Sequence, residues 1–240
     1  MKKSIQLLVC GAFLLSLTAN AQSSNKVTGN GKISTETRNT SDYDGIKVSG
    51  SFDVDLVSGK EGNITLKGEE NLLPLVQVEV SENTLKISMK KNTNIRSRQK
   101  IQITIPFEKI SQVTLSGSGD IQTKNNIKND KFSAKLSGSG NFNLGIDSND
   151  LDLNLSGSGN VRLKGTANNF TTKLSGSGDI DAADLKSKNA DINISGSGNG
   201  RVNCNETLTA RVSGSGNIKY EGNPEKRDVK VSGSGNISKA

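Results

Sequence analysis

The tetrapeptide Ser-Gly-Ser-Gly, each time followed by Asn or Asp, begins at Ser116, Ser137, Ser156, Ser175, Ser195, Ser213 and Ser232. Successive copies lie 18 to 21 residues apart. A period in this range marks a repeat architecture, in which no unit buries its apolar face alone and neighbours must stack. Each copy follows an aliphatic residue: Leu115, Leu136, Leu155, Leu174, Ile194, Val212 or Val231. Six are trailed, past the Asx, by a large apolar residue: Ile121, Phe142, Val161, Ile180, Ile218 or Ile237, with Gly200 the exception. Fourteen of the chain's 26 glycines belong to these copies. The glycine excess is therefore periodic, unlike that of a flexible linker.

Between copies the apolar residues alternate at period two. Leu151, Leu153 and Leu155 lead into one motif and Val161 and Leu163 lead out of it. Phe132, Ala134, Leu136 and then Phe142, Leu144 repeat the pattern, as do Ala190, Ile192 and Ile194. Period two means strands with one buried face, and no repeat shows helical periodicity. Residues 111–240 are predicted to form an all-β, right-handed parallel β-solenoid (β-helix) of about 19-residue coils, stacked about 4.8 Å apart. If the chain stays extended through the motif, Leu115, Gly117, Gly119 and Ile121 point inward, and Ser116, Ser118 and Asp120 point out. Glycine then sits where the interior is too narrow for a Cβ, and serine and Asx side chains form ladders outside. The competing reading places the glycines at positive φ in a corner turn. Either reading explains how a chain with 31% hydrophobic and 3% aromatic residues can fold: a thin interior needs little filling.

The flanks read differently. Lys2 and Lys3, the apolar run Ile5–Leu17 and Ala19-Asn20-Ala21 make residues 1–21 a secretory signal peptide. Without it, Cys204 is the only cysteine and the net charge of +7 falls by the two lysines. Cys204 is expected to be a small buried hydrophobe. Residues 22–40 are polar and read as a flexible leader. Residues 41–110 carry strand alternation (Phe52, Val54, Leu56; Leu85, Ile87, Met89; Ile101, Ile103, Ile105) and room for one helical turn between Gly68 and Leu75, limited by Pro74. This region is expected to be an irregular β cap closing the solenoid's first coil. The last motif stops five residues before Ala240. The final coil is thus expected to be covered by self-association, giving a homo-oligomer, or by a partner.

Gly216-Asn217-Ile218 and Gly235-Asn236-Ile237, with the variants Gly119-Asp120-Ile121 and Gly178-Asp179-Ile180, resemble the repeated signature of the bacterial auto-transporter adhesin head domain called GIN. The resemblance runs from about Ser41 to Ile237 and includes a degenerate start, Val48-Ser49-Gly50-Ser51-Phe52. It implies an exported β-helical protein of the periplasm, cell surface or extracellular space, with an adhesive role and no catalytic residues to carry over.

The chemistry readable from single residues is sparse. There is no His, which removes the commonest general base and metal ligand. No serine sits in Gly-x-Ser-x-Gly. Asp53 with Asp55, and Asp150 with Asp152, are spaced to share a strand face, the minimal requirement for acid/base work on glycosides, but read first as solvated residues. Asp120 and Asp179 are the better calcium candidates, in a motif whose other five Asx positions are neutral Asn. No cofactor is expected. Between Glu82 and Glu108 no acid interrupts Lys86, Lys90, Lys91, Arg96, Arg98 and Lys100. Lys90, Lys91, Arg96, Arg98 and Lys100 are candidates for contacting an anionic glycan or headgroup, against the plainer reading of a solvated loop. The outward serines Ser118, Ser139, Ser158, Ser177, Ser197, Ser215 and Ser234 are the candidate ligand face. Nothing argues for nucleic acid, since the charge is modest and no aromatics interleave a basic stripe. The expected function is non-enzymatic binding of a glycan or surface protein. The alternatives are a polysaccharide-active solenoid enzyme and a periplasmic scaffold.

Overall fold

The computed structural model describes residues 25–240, so the signal-peptide reading of residues 1–21 lies outside the described residues. Alternating sequence becomes strand almost throughout. The N-terminal strands are β1 (Asn25–Thr28), β2 (Ile33–Asn39), β3 (Gly45–Ser49), β4 (Asp53–Ser58), β5 (Asn63–Glu69), β6 (Val76–Ser81), β7 (Thr84–Met89), β8 (Thr93–Arg96) and β9 (Gln102–Phe107). The repeats follow as β10 (Gln112–Gly117), β11 (Asp120–Thr123), β12 (Ile127–Gly138), β13 (Asn141–Gly157), β14 (Asn160–Gly176), β15 (Asp179–Gly196), β16 (Asn199–Gly214), β17 (Asn217–Glu221), β18 (Lys226–Gly233) and β19 (Asn236–Lys239). The helical turn allowed between Gly68 and Leu75 is a 3-10 turn at Leu73–Leu75 with Pro74 inside it.

From β10 onward every pairing is parallel and joins equivalent residues of successive repeats. Leu136 faces Leu155, Leu155 faces Leu174 and Leu174 faces Ile194. This is the stacked β-solenoid. The long strands turn corners: in β13 the alternation breaks where Leu144, Gly145 and Ile146 are buried in succession, and pairing skips Asn149. Inward residues such as Phe142, Leu144, Leu151, Leu153 and Leu155 are at most 2% exposed. Each buried aliphatic or aromatic side chain contributes roughly 1.5–3 kcal/mol, which repetition multiplies. Gly200 now has a reason. Its place in the Ile180 and Ile218 column is filled by the δ-methyls of Ile192 and Ile194, which a Cβ would strike.

The motif corner departs from the extended geometry. The first glycine of each motif (Gly117, Gly138, Gly157, Gly176, Gly196, Gly214, Gly233) has φ between +119° and +133°, so the corner-turn reading holds there. The second glycine (Gly119, Gly140, Gly159, Gly178, Gly198, Gly216) is buried, as the extended reading required, and has no positive φ. What excludes a side chain is not the opposite wall. A Cβ at Gly138 would meet the carbonyl oxygen of Gly117, and one at Gly159 that of Gly140. The obstacle is the same glycine one coil earlier.

Solenoid stacking extends into the region expected to be irregular. β3 pairs in parallel with β10 and β4 with β11, so the degenerate motif at Val48–Phe52 is a true coil. β7 and β9 stack in parallel on its other side. Beyond them the pairing turns antiparallel: β6 on β7, β5 on β9 and β2 on β5. These strands close the first edge.

The flexible leader is corrected at the same point. Ile33–Asn39 is a strand paired along its whole length with β5, and Asn25–Thr28 pairs with β8. An edge strand needs only its backbone bonds, so β2 alternates between exposed and half-buried without any buried residue, and its polar composition hid it. The 29–31 turn between these strands is held by Glu69, 1% exposed. Its carboxylate accepts the N–H groups of Gly31 at 2.7 Å and Arg98 at 3.2 Å, and the Ser97 hydroxyl. The Ser97 bond leads in holding the carboxyl below the usual carboxylate range, against burial and with help from the Gly31 and Arg98 bonds.

At the other end the last coil is unlike the rest. Val229 and Val231 are 48% and 40% exposed. Arg227 takes the register of buried Leu208, and Lys239 that of buried Tyr220.

Three outcomes follow from this geometry. Gly159→Ala should cost about 3 kcal/mol or more, because backbone cannot yield to the new methyl, whereas Ser158→Ala should stay within about 0.5 kcal/mol; chemical denaturation measures both. Thr172, fully buried between Leu153 and Ile192, has a hydroxyl without a hydrogen-bond partner, so Thr172→Val should raise stability by about 1 kcal/mol. Glu69 has a folded-state pKa below its unfolded value, so its contribution is complete above about pH 4.3 and disappears as pH falls through the lower folded value. The difference in melting temperature between wild type and Glu69→Gln should therefore narrow below that pH, and a constant difference would contradict the assignment.

Candidate functional site

The first candidate surface is built by the motif itself. The backbone N–H groups of Ser139 and Gly140 both donate to the Gly117 carbonyl, at 3.0 Å each, and the same pair of bonds recurs at every later motif. Ser118, Ser139, Ser158, Ser177, Ser197, Ser215 and Ser234 turn outward and are exposed, the backbone donors of the last six engaged. The sequence-predicted serine face is thus one column along the rod.

Beside it runs a ladder of Asx side chains. The Asn141 amide donates to Asp120 at 2.6 Å, Asn160 to Asn141 at 3.2 Å, Asn199 to Asp179 at 3.0 Å and Asn217 to Asn199 at 3.0 Å. Asp179 has no amide and instead donates its backbone N–H to Asn160. Aspartate only accepts, so two in adjacent coils would leave the ladder short of donors and set like charges one strand spacing apart. That juxtaposition occurs once, where Asp53 and Asp120 face each other. There Lys100 inserts its ammonium, 3.0 Å from Asp53 and 2.6 Å from Asp120. The Asp120 hydrogen bond leads in raising the Lys100 pKa. Burial opposes ionisation of Asp120, but hydrogen bonds from Lys100 and Asn141 hold its carboxyl below the usual range.

The cations read as one anion-contacting loop are spread over several elements, with Arg98 and Lys100 lining one cavity. Lys90 and Lys91 lie at the turn after β7 and Arg96 ends β8. Arg98 follows in the next loop, its backbone N–H bonded to Glu69. Lys100 is the internal counterion just described. The carboxylates that the sequence offers for acid/base or calcium chemistry are also engaged. Asp55 holds Lys124 and Gln122, Asp150 accepts from Asn169 and Asp152 from Asn154. Asp53 and Asp120 converge on an ammonium, and Asp179 accepts from Asn199. Among the described residues no three His, Cys, Asp or Glu side chains cluster as metal ligands. Cys204 is fully buried, and burial raises its pKa.

A second serine column, expected from the outward parity of Ser116, carries a neighbour that the sequence reading did not single out. The first serine of each motif stacks in register from Ser116 to Ser232, and the column continues through Ser49 and Ser88 into the cap. Two residues before each lies an outward position occupied in turn by Lys86, Lys47, Thr114, Lys135, Asn154, Lys173, Asn193, Arg211 and Lys230. A shallow trough runs between the two columns from Asn154 to Ser232. Aligning the repeats on the residue before each aliphatic lead would have revealed it.

With this geometry in view, the likeness to known proteins is informative. A crystal structure of a putative adhesin from Bacteroides fragilis superposes with a TM-score of 0.81 at 25% identity, covering 89% of this chain and 100% of that one. One described as a putative lipid binding protein, from Parabacteroides distasonis, gives 0.73 at 28% identity, covering 90% and 99%. A putative adhesin from the same species gives 0.67 at 22%, covering 90% and 100%, a likeness of fold alone. No curated protein matches the sequence. Residues 42–224 match the family described as putative auto-transporter adhesin, head GIN domain, a span holding the degenerate first coil and six of the seven motifs. The chain is a member of that GIN-domain family.

Proposed function

We propose that this protein is an exported, non-enzymatic surface-interaction protein that binds through extended solenoid faces. The observation carrying this reading is the set of unbroken, in-register polar columns on the outside of the rod. Such columns present one chemical group at every strand spacing, an arrangement suited to a long repetitive partner or a broad surface rather than a small molecule held on all sides. Family membership supports an adhesive role. The described residues contain no helix long and apolar enough to cross a membrane, consistent with export. The alternative of a polysaccharide-active enzyme would use a pair of free carboxylates across a cleft. Asp53 with Asp55 and Asp150 with Asp152 are instead bonded to lysine or amide groups, and the chain has no His to replace them. The lipid-binding description of the Parabacteroides distasonis protein makes lipid vesicles a necessary comparison.

The test is an array of neutral and acidic glycans, matrix proteins and lipid vesicles, probed with the full chain and with a variant neutralised at Lys90, Lys91, Arg96 and Arg98. Binding to at least one glycan or protein surface is expected, and the variant should retain it because the proposed contact is carried by the polar columns. Silence across the array would overturn the reading. Binding lost in the variant would move it to the loop.

A further inference from the structure

The trough beside the first serine column carries a charge pattern with a definite period. In spatial order the outward column reads Lys47, Thr114, Lys135, Asn154, Lys173, Asn193 and Arg211, one residue per coil. Cations therefore stand on every second coil, about 9.6 Å apart, and the intervening coils carry a neutral hydrogen-bonding side chain. Lys86 and Lys230 add cations on the adjoining coils at either end, outside the alternation. The carboxylates of the same face cancel the pattern only at Arg211. Asp152 and Asp191 lie on the neutral coils, where they accept from Asn154 at 2.9 Å and Asn193 at 2.7 Å. Asp228 binds Arg211 at 2.6 Å. Lys47, Lys135, Lys173 and Lys230 are exposed and, among the described residues, none forms an ion pair with a carboxylate.

The adjoining wall is all serine, from Ser88 through Ser49 and Ser116 to Ser232. Among the described residues, the serine hydroxyls engaged within the protein, those of Ser97, Ser111 and Ser187, lie outside this column. Each free hydroxyl can both donate and accept. We infer that this face binds an acidic polysaccharide with one anionic group per disaccharide, its carboxylates or sulfates on Lys47, Lys135 and Lys173 and its hydroxyls on the serine column.

The match rests on spacing. An extended pyranose chain advances by about one inter-strand distance per sugar, so an anion on alternate sugars meets a cation on alternate coils. Uncharged sugars then face Asn154 and Asn193, whose amides suit hydroxyl and N-acetyl groups. A single-stranded nucleic acid would place phosphates at closer intervals and call for stacking aromatics, which this face lacks. A membrane would favour a basic patch combined with a broad set of exposed apolar side chains, which this face carries only at Val229 and Val231 beside Lys230. The inference deepens the surface-binding function proposed above and rests on it.

The experiment measures binding of the full chain to hyaluronan (one carboxylate per disaccharide), polygalacturonate (one per sugar), dextran (none), a single-stranded oligonucleotide and phosphatidylglycerol vesicles. Hyaluronan should bind best. Lys135→Asn with Lys173→Asn, which installs the side chain already used on alternate coils, should weaken it about tenfold, the effect of two exposed charge contacts. Lys128→Asn with Lys164→Asn makes the same change in net charge elsewhere and should alter affinity less than about twofold. Asn154→Lys with Asn193→Lys should move preference toward polygalacturonate. Equal losses in the two lysine pairs, or tighter binding to the oligonucleotide or vesicles, would overturn the inference. No binding to either acidic polysaccharide would overturn it too. The broader array then separates the two claims: if it still shows a bound glycan or protein, surface binding survives and only the acidic-polysaccharide assignment falls.

Discussion

At the motif corner, each glycine lies against the carbonyl of the same glycine one coil earlier, so closely that no Cβ fits between them. Within the seven stacked motifs the corner is crossed only by residues without side chains, Phe52 taking the second place in the first coil alone, and the first must also accept positive φ. The tight corner lets the backbone of one coil bond the next without interruption: the Gly117 carbonyl takes two N–H groups, and Asn141 continues the series on Gly119. The aliphatic residue before the corner and the apolar one after it are thereby brought to the interior in every coil. A narrow, repetitive core is the consequence, which is why a chain poor in aromatic bulk reaches a folded state.

The same spacing governs the outside. Side chains held one strand apart must suit their own copies above and below. Asparagine does so because its amide donates in one direction while its oxygen accepts from the other, and the ladder from Asn141 to Asn217 is polarised toward the cap. Aspartate breaks such a ladder unless a cation intervenes, and Lys100 is that cation at Asp53 and Asp120. Internal compensation thus removes one lysine from a cluster that looked available for a ligand. The Lys/Asn column on the neighbouring face has no such counterions at Lys47, Lys135 and Lys173, so its charge remains directed at solvent.

Period and parity made most of the fold legible. The repeats, their parallel stacking, the inward aliphatics and the outward Ser/Asx columns all follow from residues that recur every coil. The cap was less legible because its coils lie far apart in sequence: β3 and β4 meet β10 and β11 across some sixty residues, and no local pattern announces that return. β2 escaped notice because an edge strand bonded through its backbone has no need of an apolar face. For the candidate site, Lys100 read as exposed charge because nothing nearby in the chain foretells Asp53 and Asp120 converging on it. The trough was present in the sequence, though only in a comparison between repeats rather than within one.

The coil built by β18 and β19 differs from the others along its outer edge. A stack of identical parallel strands exposes, at its edge, the template for another copy of itself, and rods with such an edge can extend into fibres. In this rod the interior register that Leu208 and Tyr220 fill passes in the final coil to Arg227 and Lys239. A further molecule laid on that end would have to bury two cations against its own apolar column, with only Tyr220 and Asn223 bonded to them. Arg227 and Lys239 thus weigh against another copy of the rod adding its strands to this edge.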